Sequence, residues 1–101
     1  MGSRALIVIV LAACMGPEPE AHVVSVAPGP QPGHERVTVD LANPSHGHGQ
    51  VELEIVLHAP ARSIAASKMI DLKPHMHLQV VVDVAAPPDV YTATVEADYP
   101  D

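Results

Sequence analysis

The chain of 101 residues has no Phe and no Trp, one Cys, and five Lys and Arg against twelve Asp and Glu. Each shortage excludes something. A lone cysteine cannot form a disulfide within the chain, so a fold this small depends on its hydrophobic core, where the margin is thin. With Tyr91 and Tyr99 as the only aromatics, that core must be built from Val, Leu, Ile and Ala. A formal net charge of −7 without a basic cluster makes a poor nucleic-acid binder, so nucleic acid is not an expected partner. No helix of convincing length and no internal repeat is present. Ser25, Ser45, Ser63 and Ser67 lie in no nucleophile motif, and no Gly-rich loop opens a helix, so the expectation is a protein that is not an enzyme.

What is present starts at the amino terminus. Met1–Arg4 is basic, Ala5–Leu11 is apolar, Ala12 and Ala13 are small, and Cys14 follows. A positive start, a short apolar run and small residues before a cut make a secretory signal. The run is too short for a bilayer, which takes roughly 20 apolar residues. Gly2 does not read as a myristoylation site, because Leu6 stands where Ser or Thr is required. The residues alone also allow an ordinary secretory signal with a cysteine near its cut. Leu11-Ala12-Ala13-Cys14, however, resembles the lipobox of bacterial lipoproteins. The resemblance implies that residues 1–13 are a signal peptide and that Cys14 becomes the first residue, carrying diacylglycerol and usually a further acyl chain. Two or more chains anchor stably. Met15, where inner-membrane lipoproteins often carry Asp, implies the outer membrane, facing the periplasm or the surface.

Removing residues 1–13 leaves 88 residues and, with the loss of Arg4, a formal net charge of −8. That is one small domain. Residues 14–21 read as the lipidated cysteine and a tether, since two prolines and two glutamates between Met15 and Ala21 favour an extended path. The domain is expected over residues 22–101. Six runs there alternate apolar and polar residues: Val23–Val26, Glu35–Ala42, Val51–His58, Ser63–Leu72, Met76–Ala85 and Val90–Asp98. Period-two alternation with one apolar face marks half-buried antiparallel strands. The prolines fall in the tether, in the connections or at the tail, as expected for a residue that cannot donate to a ladder. Ala59–Lys68 is also compatible with a helical turn, weakened by Pro60 and two serines. Glu52 and Glu54 share a solvated strand face.

The expected fold is therefore all-β: a small antiparallel sandwich of about six or seven strands after a signal peptide. Val37-Thr38-Val39-Asp40-Leu41-Ala42-Asn43, Asp71-Leu72-Lys73-Pro74 and Pro88-Asp89-Val90-Tyr91-Thr92-Ala93-Thr94-Val95 resemble strands and turns of immunoglobulin-like modules of the fibronectin type III and CARDB-like kind. The resemblance implies an immunoglobulin-like sandwich. It departs from those modules in lacking a core Trp, in carrying Asp89 where Gly is usual, and in reaching Asp101 where a seventh strand would begin. An edge left open there is a template for another strand. The expectation is that Tyr99-Pro100-Asp101, or the first strand changing sheets, covers it.

Seven histidines are many for this length. In an antiparallel sandwich the loops at His46-Gly47-His48 and His75-Met76-His77 fall at one pole, with His22, Asp98 and Asp101, and His34 and His58 fall at the other. His75 and His77, alternate residues on a strand, are placed to converge on one ion, and Gly47 and Gly49 would let His46 and His48 adapt. Neutral imidazole suits copper or zinc. Met76 is in phase with the apolar face and reads as core. His58 and Met69 are spaced like half of the ligand pattern of a periplasmic copper-chaperone family, but its second half is absent and the match is taken as chance. Two functions follow as expectations: a membrane-anchored lipoprotein that binds or scaffolds another envelope protein, and a copper- or zinc-binding lipoprotein using His46, His48, His75 and His77. With the tether entering at His22, the histidine-rich pole would face the membrane, where protonated imidazoles would meet anionic head groups.

Overall fold

A computed structural model describes residues 16–99. The signal peptide, Cys14, Met15, Pro100 and Asp101 lie outside the described residues. Six strands follow one another: β1 (Glu20–Pro28), β2 (His34–Ala42), β3 (Gly49–Ala59), β4 (Arg62–Leu72), β5 (His77–Ala85) and β6 (Thr92–Asp98). The alternation locates all six. The helical alternative for Ala59–Lys68 gives way to a hairpin: β3 and β4 pair in register from Gly49↔Leu72 to Ala59↔Arg62, turning through Pro60 and Ala61. Period-two spacing of the apolar residues, interrupted at Lys68, decides this, because only a strand places Ile64, Ala66, Ile70 and Leu72 on one face.

The strands form two antiparallel sheets of three, ordered β1-β2-β5 and β4-β3-β6. Immunoglobulin-like sandwiches have this order, with strands A, B and E in one sheet and C′, C and F in the other. Tyr91 adds a feature of such folds. It sits just before β6, is buried, and donates its hydroxyl to the Pro87 carbonyl four residues upstream at 2.5 Å. A tyrosine at the corner entering that strand, bonded back to the preceding backbone, is characteristic of the architecture.

The core lies between the sheets. Val37, Val39 and Leu41 of β2 face Val51, Leu53, Ile55 and Leu57 of β3, all essentially without solvent exposure. Each such aliphatic side chain contributes about 1.5–3 kcal/mol by leaving water. Burial is graded by strand position. The inward aliphatic residues of the central strands β2 and β3 are fully buried, whereas those of β1, β6 and, apart from Leu72, β4 are only partly buried. Met76 packs against the core, as its phase predicts.

β1 begins earlier than the alternation indicates, at Glu20, and remains paired to β2 through Pro28, with a bulge between Val23 and Ser25. It does not change sheets, although it comes close to β6. The turn into β2 uses Gly33 at φ 78°, where glycine is favoured, and its carbonyl accepts a bond from the Ala86 amide at 2.8 Å.

Candidate functional site

The pole predicted to be rich in histidine is organised by a side chain of another kind. Asn43 directly follows β2, is 1% exposed and has every side-chain polar atom satisfied. Its Oδ1 accepts from the Glu18 amide, the Ser45 amide and the Ser45 hydroxyl at 3.1, 3.1 and 2.7 Å. Its Nδ2 donates to the carbonyls of Gly47 and Lys73 at 2.8 and 2.9 Å. The Asn43–Ser45 part is an Asx turn, which Asn-Pro-Ser readily forms. One amide thus ties the β2–β3 loop, the β4–β5 turn and the segment before β1.

That segment is not a free tether. Gly16 and Pro17 are buried, and Glu20 and Ala21 already belong to β1. The Gly16 backbone lies so close to Gly47 that a Cβ on Gly47 would overlap its carbonyl, and Tyr99 packs over Gly16. Residues 16–19 therefore belong to the folded body, which starts well before His22. Proline and glutamate suggested an extended path, and the path is extended, but it runs along a surface shaped to receive it. Gly47, expected to lend mobility to its neighbouring histidines, is instead a buried contact.

The four histidines of the two loops make three side-chain contacts. His46 and His75 meet, with Nδ1 of His46 and Nε2 of His75 at 3.0 Å and the rings edge-on. His48 bonds Asp71 at 3.0 Å, and His77 bonds Asp40 at 3.0 Å. His75 and His77 do not converge because β5 begins only at His77. His75 lies in the turn at φ 56°, with its amide bonded to the Ser45 carbonyl, and strand alternation does not apply there. His46, His48, His75 and His77 thus share a pole but not a coordination sphere. Among the described residues, no group of three or more His, Cys, Asp or Glu is placed to hold a metal ion. His22 lies opposite Asp40 near this pole, while His34 and His58 lie towards the other end, where His58 bonds Thr94 at 3.0 Å.

No protein-family model matches this chain, and neither does any curated protein or solved structure.

The outer face of the second sheet carries the strongest charge pattern. Glu52 stands opposite Asp98, and Glu54 opposite Glu96, so four carboxylates line one shallow groove across β3 and β6. Like charges directly opposite on antiparallel strands oppose folding. Lys68 and Arg62 of β4 fall in the inward-facing phase, opposite Leu53 and Ala59, and so do not share that face. Beyond β6, among the described residues, no strand pairs with the sheet. Tyr99 packs at the pole, against Gly16 and Gly49, while Pro100 and Asp101, the rest of the expected cover, lie outside the described residues. Among the described residues, no helix is long and apolar enough to cross a membrane.

Proposed function

We propose that this protein is a membrane-anchored lipoprotein of the bacterial envelope, held by Cys14, whose sandwich binds or scaffolds another envelope protein. The observation that carries the proposal is the docking of Gly16–Glu18 onto Asn43 and its loop. An acyl anchor on Cys14 would sit two residues from a rigid body, and so hold one pole of the sandwich near the bilayer. The remaining surfaces stay free for a partner. The lipobox resemblance and Met15 favour the outer membrane. The test has two parts. Metabolic labelling with an alkynyl fatty acid is expected to mark the protein, and Cys14→Ala is expected to remove both label and membrane association. Cross-linking in the native envelope is expected to recover a defined protein partner. Recovery of none would defeat the scaffold.

A second reading, copper or zinc binding, draws on His46 and His75 alone, whose facing nitrogens lie 3.0 Å apart. Imidazole suits either ion. Titration with Cu²⁺ and Zn²⁺ at neutral pH decides it: binding no tighter than millimolar rejects a site, and tight binding must weaken in His46→Ala and His75→Ala.

A further inference from the structure

We infer that the free edge of β6 is a docking site for an extended segment bearing Lys or Arg at two alternating positions, with aliphatic residues between them. The inference rests on the proposed partner-binding function and names its surface and the chemistry of the partner.

Among the described residues, four strand edges are unpaired in two sheets of three: β1, β5, β4 and β6. Three of them discourage an added strand. β1 is broken by its bulge between Val23 and Ser25. β4 turns Lys68 into the inward phase, opposite Leu53, where an incoming apolar face would meet a charge. Bulges and inward-pointing charges are the usual protections of a sheet edge. β5 has its inward residues Val80, Val82 and Val84 already buried, so another strand there would cover little.

Within its own sheet β6 has none of these defences, and β1 of the other sheet comes close to it without pairing. It pairs regularly with β3 from His58↔Thr92 to Glu52↔Asp98. Its inward residues Ala93, Val95 and Ala97 pack on the core but remain partly exposed. A strand added along β6 would satisfy its outer backbone groups and cover these side chains, the mode of recognition in which main-chain bonds give affinity and alternate side chains give specificity.

Charge selects the occupant. On the outer face, the added strand would lie next to Glu96 and Asp98, two residues apart on β6, with Glu54 and Glu52 directly behind them. Residues two apart on a strand share a face, so the matching segment carries two cations two residues apart. Its other face, beside Ala93, Val95 and Ala97, must be aliphatic. A second copy of β6 would bring Glu96 and Asp98 of its own to this face, so the chain's own edge is the wrong occupant.

The probe is a capped, fluorescent peptide of alternating Lys and Val with the length of β6, seven residues, titrated against the full chain in nonionic detergent. Two controls accompany it: alternating Glu and Val, and the Lys/Val peptide N-methylated at every second residue. The Lys/Val peptide is expected to bind at least roughly tenfold more tightly than either control, to weaken with added salt, and to shift the amide resonances of Thr92–Asp98. Glu96→Lys combined with Asp98→Lys is expected to reverse the preference in favour of the Glu/Val peptide. Equal binding of the N-methylated peptide would reduce the interaction to charge adsorption and overturn the proposal. So would resonance shifts confined to β1, β4 or β5, no response to the double variant, or a concentration-dependent dimer joined through β6. Partner capture that persists undiminished in the double variant refutes this edge while leaving the scaffold function standing. Peptide binding at β6 without any captured partner refutes the function and leaves the edge chemistry intact.

Discussion

Asn43 shows how one buried polar side chain organises a pole that its neighbouring histidines only decorate. The histidines there are exposed, and exposed polar contacts such as His48 with Asp71 and His77 with Asp40 contribute little to stability. Asn43 is buried and bonded to three segments. Truncating it would strand the Lys73 and Gly47 carbonyls and the Glu18 amide, and an unsatisfied buried group costs about 1–3 kcal/mol. Asn43→Ala is therefore expected to destabilise the protein by about 3 kcal/mol in urea unfolding, the result of several partly rehydrated groups. His46→Ala, a few residues away, is expected to stay within about 0.5 kcal/mol of the parent. Equal losses in the two variants would show that the imidazole pair, and not the amide, holds the loop.

At the scale of elements, β3 and β6 place four carboxylates in two directly opposed pairs, Glu52 with Asp98 and Glu54 with Glu96. A cross-strand charge pair is worth about 0.2–1 kcal/mol, with like charges unfavourable. Replacing Glu96 and Asp98 by Lys converts both pairs into attractive ones. The double variant is expected to raise the urea midpoint by the equivalent of about 1 kcal/mol. Added salt should erode that gain, because these groups are exposed and screened. A salt-independent change, or a loss, would point to repacking of β6 instead of charge. The substitution that should stabilise the free domain is also the one expected to abolish recognition of a basic strand.

The strands themselves were legible because period-two alternation is local: Val51, Leu53, Ile55 and Leu57 announce an inward face whatever surrounds them. The expected pole was legible as well, since antiparallel reversals sort the loops into two ends. What alternation does not carry is the geometry where it stops. His75 and His77 look like neighbours on a face until the left-handed φ of His75 places the strand's start after it. Gly16–Pro19 looks like a linker because its composition discourages a core of its own. Its docking depends on Asn43, Gly47 and Tyr99, which are far away in sequence. The Asn-Pro-Ser turn was the available local signal, and it indicates an Asx turn without indicating what else the amide would hold.

For the molecule as a whole, the docked amino-terminal segment sets an orientation. Residue 16 is fixed at the pole that carries His46 and His75, whereas the β3–β4 turn at Pro60 and Ala61 lies at the far end of an 11-residue strand. At about 3.3 Å per residue, that strand puts roughly 35 Å between the two ends. If Cys14 is acylated, only Met15 separates the anchor from the body, so the sandwich has little freedom to tumble on its tether. Fluorophores attached through His46→Cys and through Ala61→Cys in the lipidated protein should then report different surroundings in vesicles containing brominated lipids. Quenching is expected at residue 46 and not at residue 61. Gly47→Val provides the internal control, because its side chain would collide with the Gly16 carbonyl and expel the segment. In that background the longer, freed tether should weaken the quenching at residue 46 and narrow the difference between the two sites. Equal quenching at both positions in the parent would mean that the body is not held by its docked segment, and the membrane-proximal assignment of the histidine pole would fall with it.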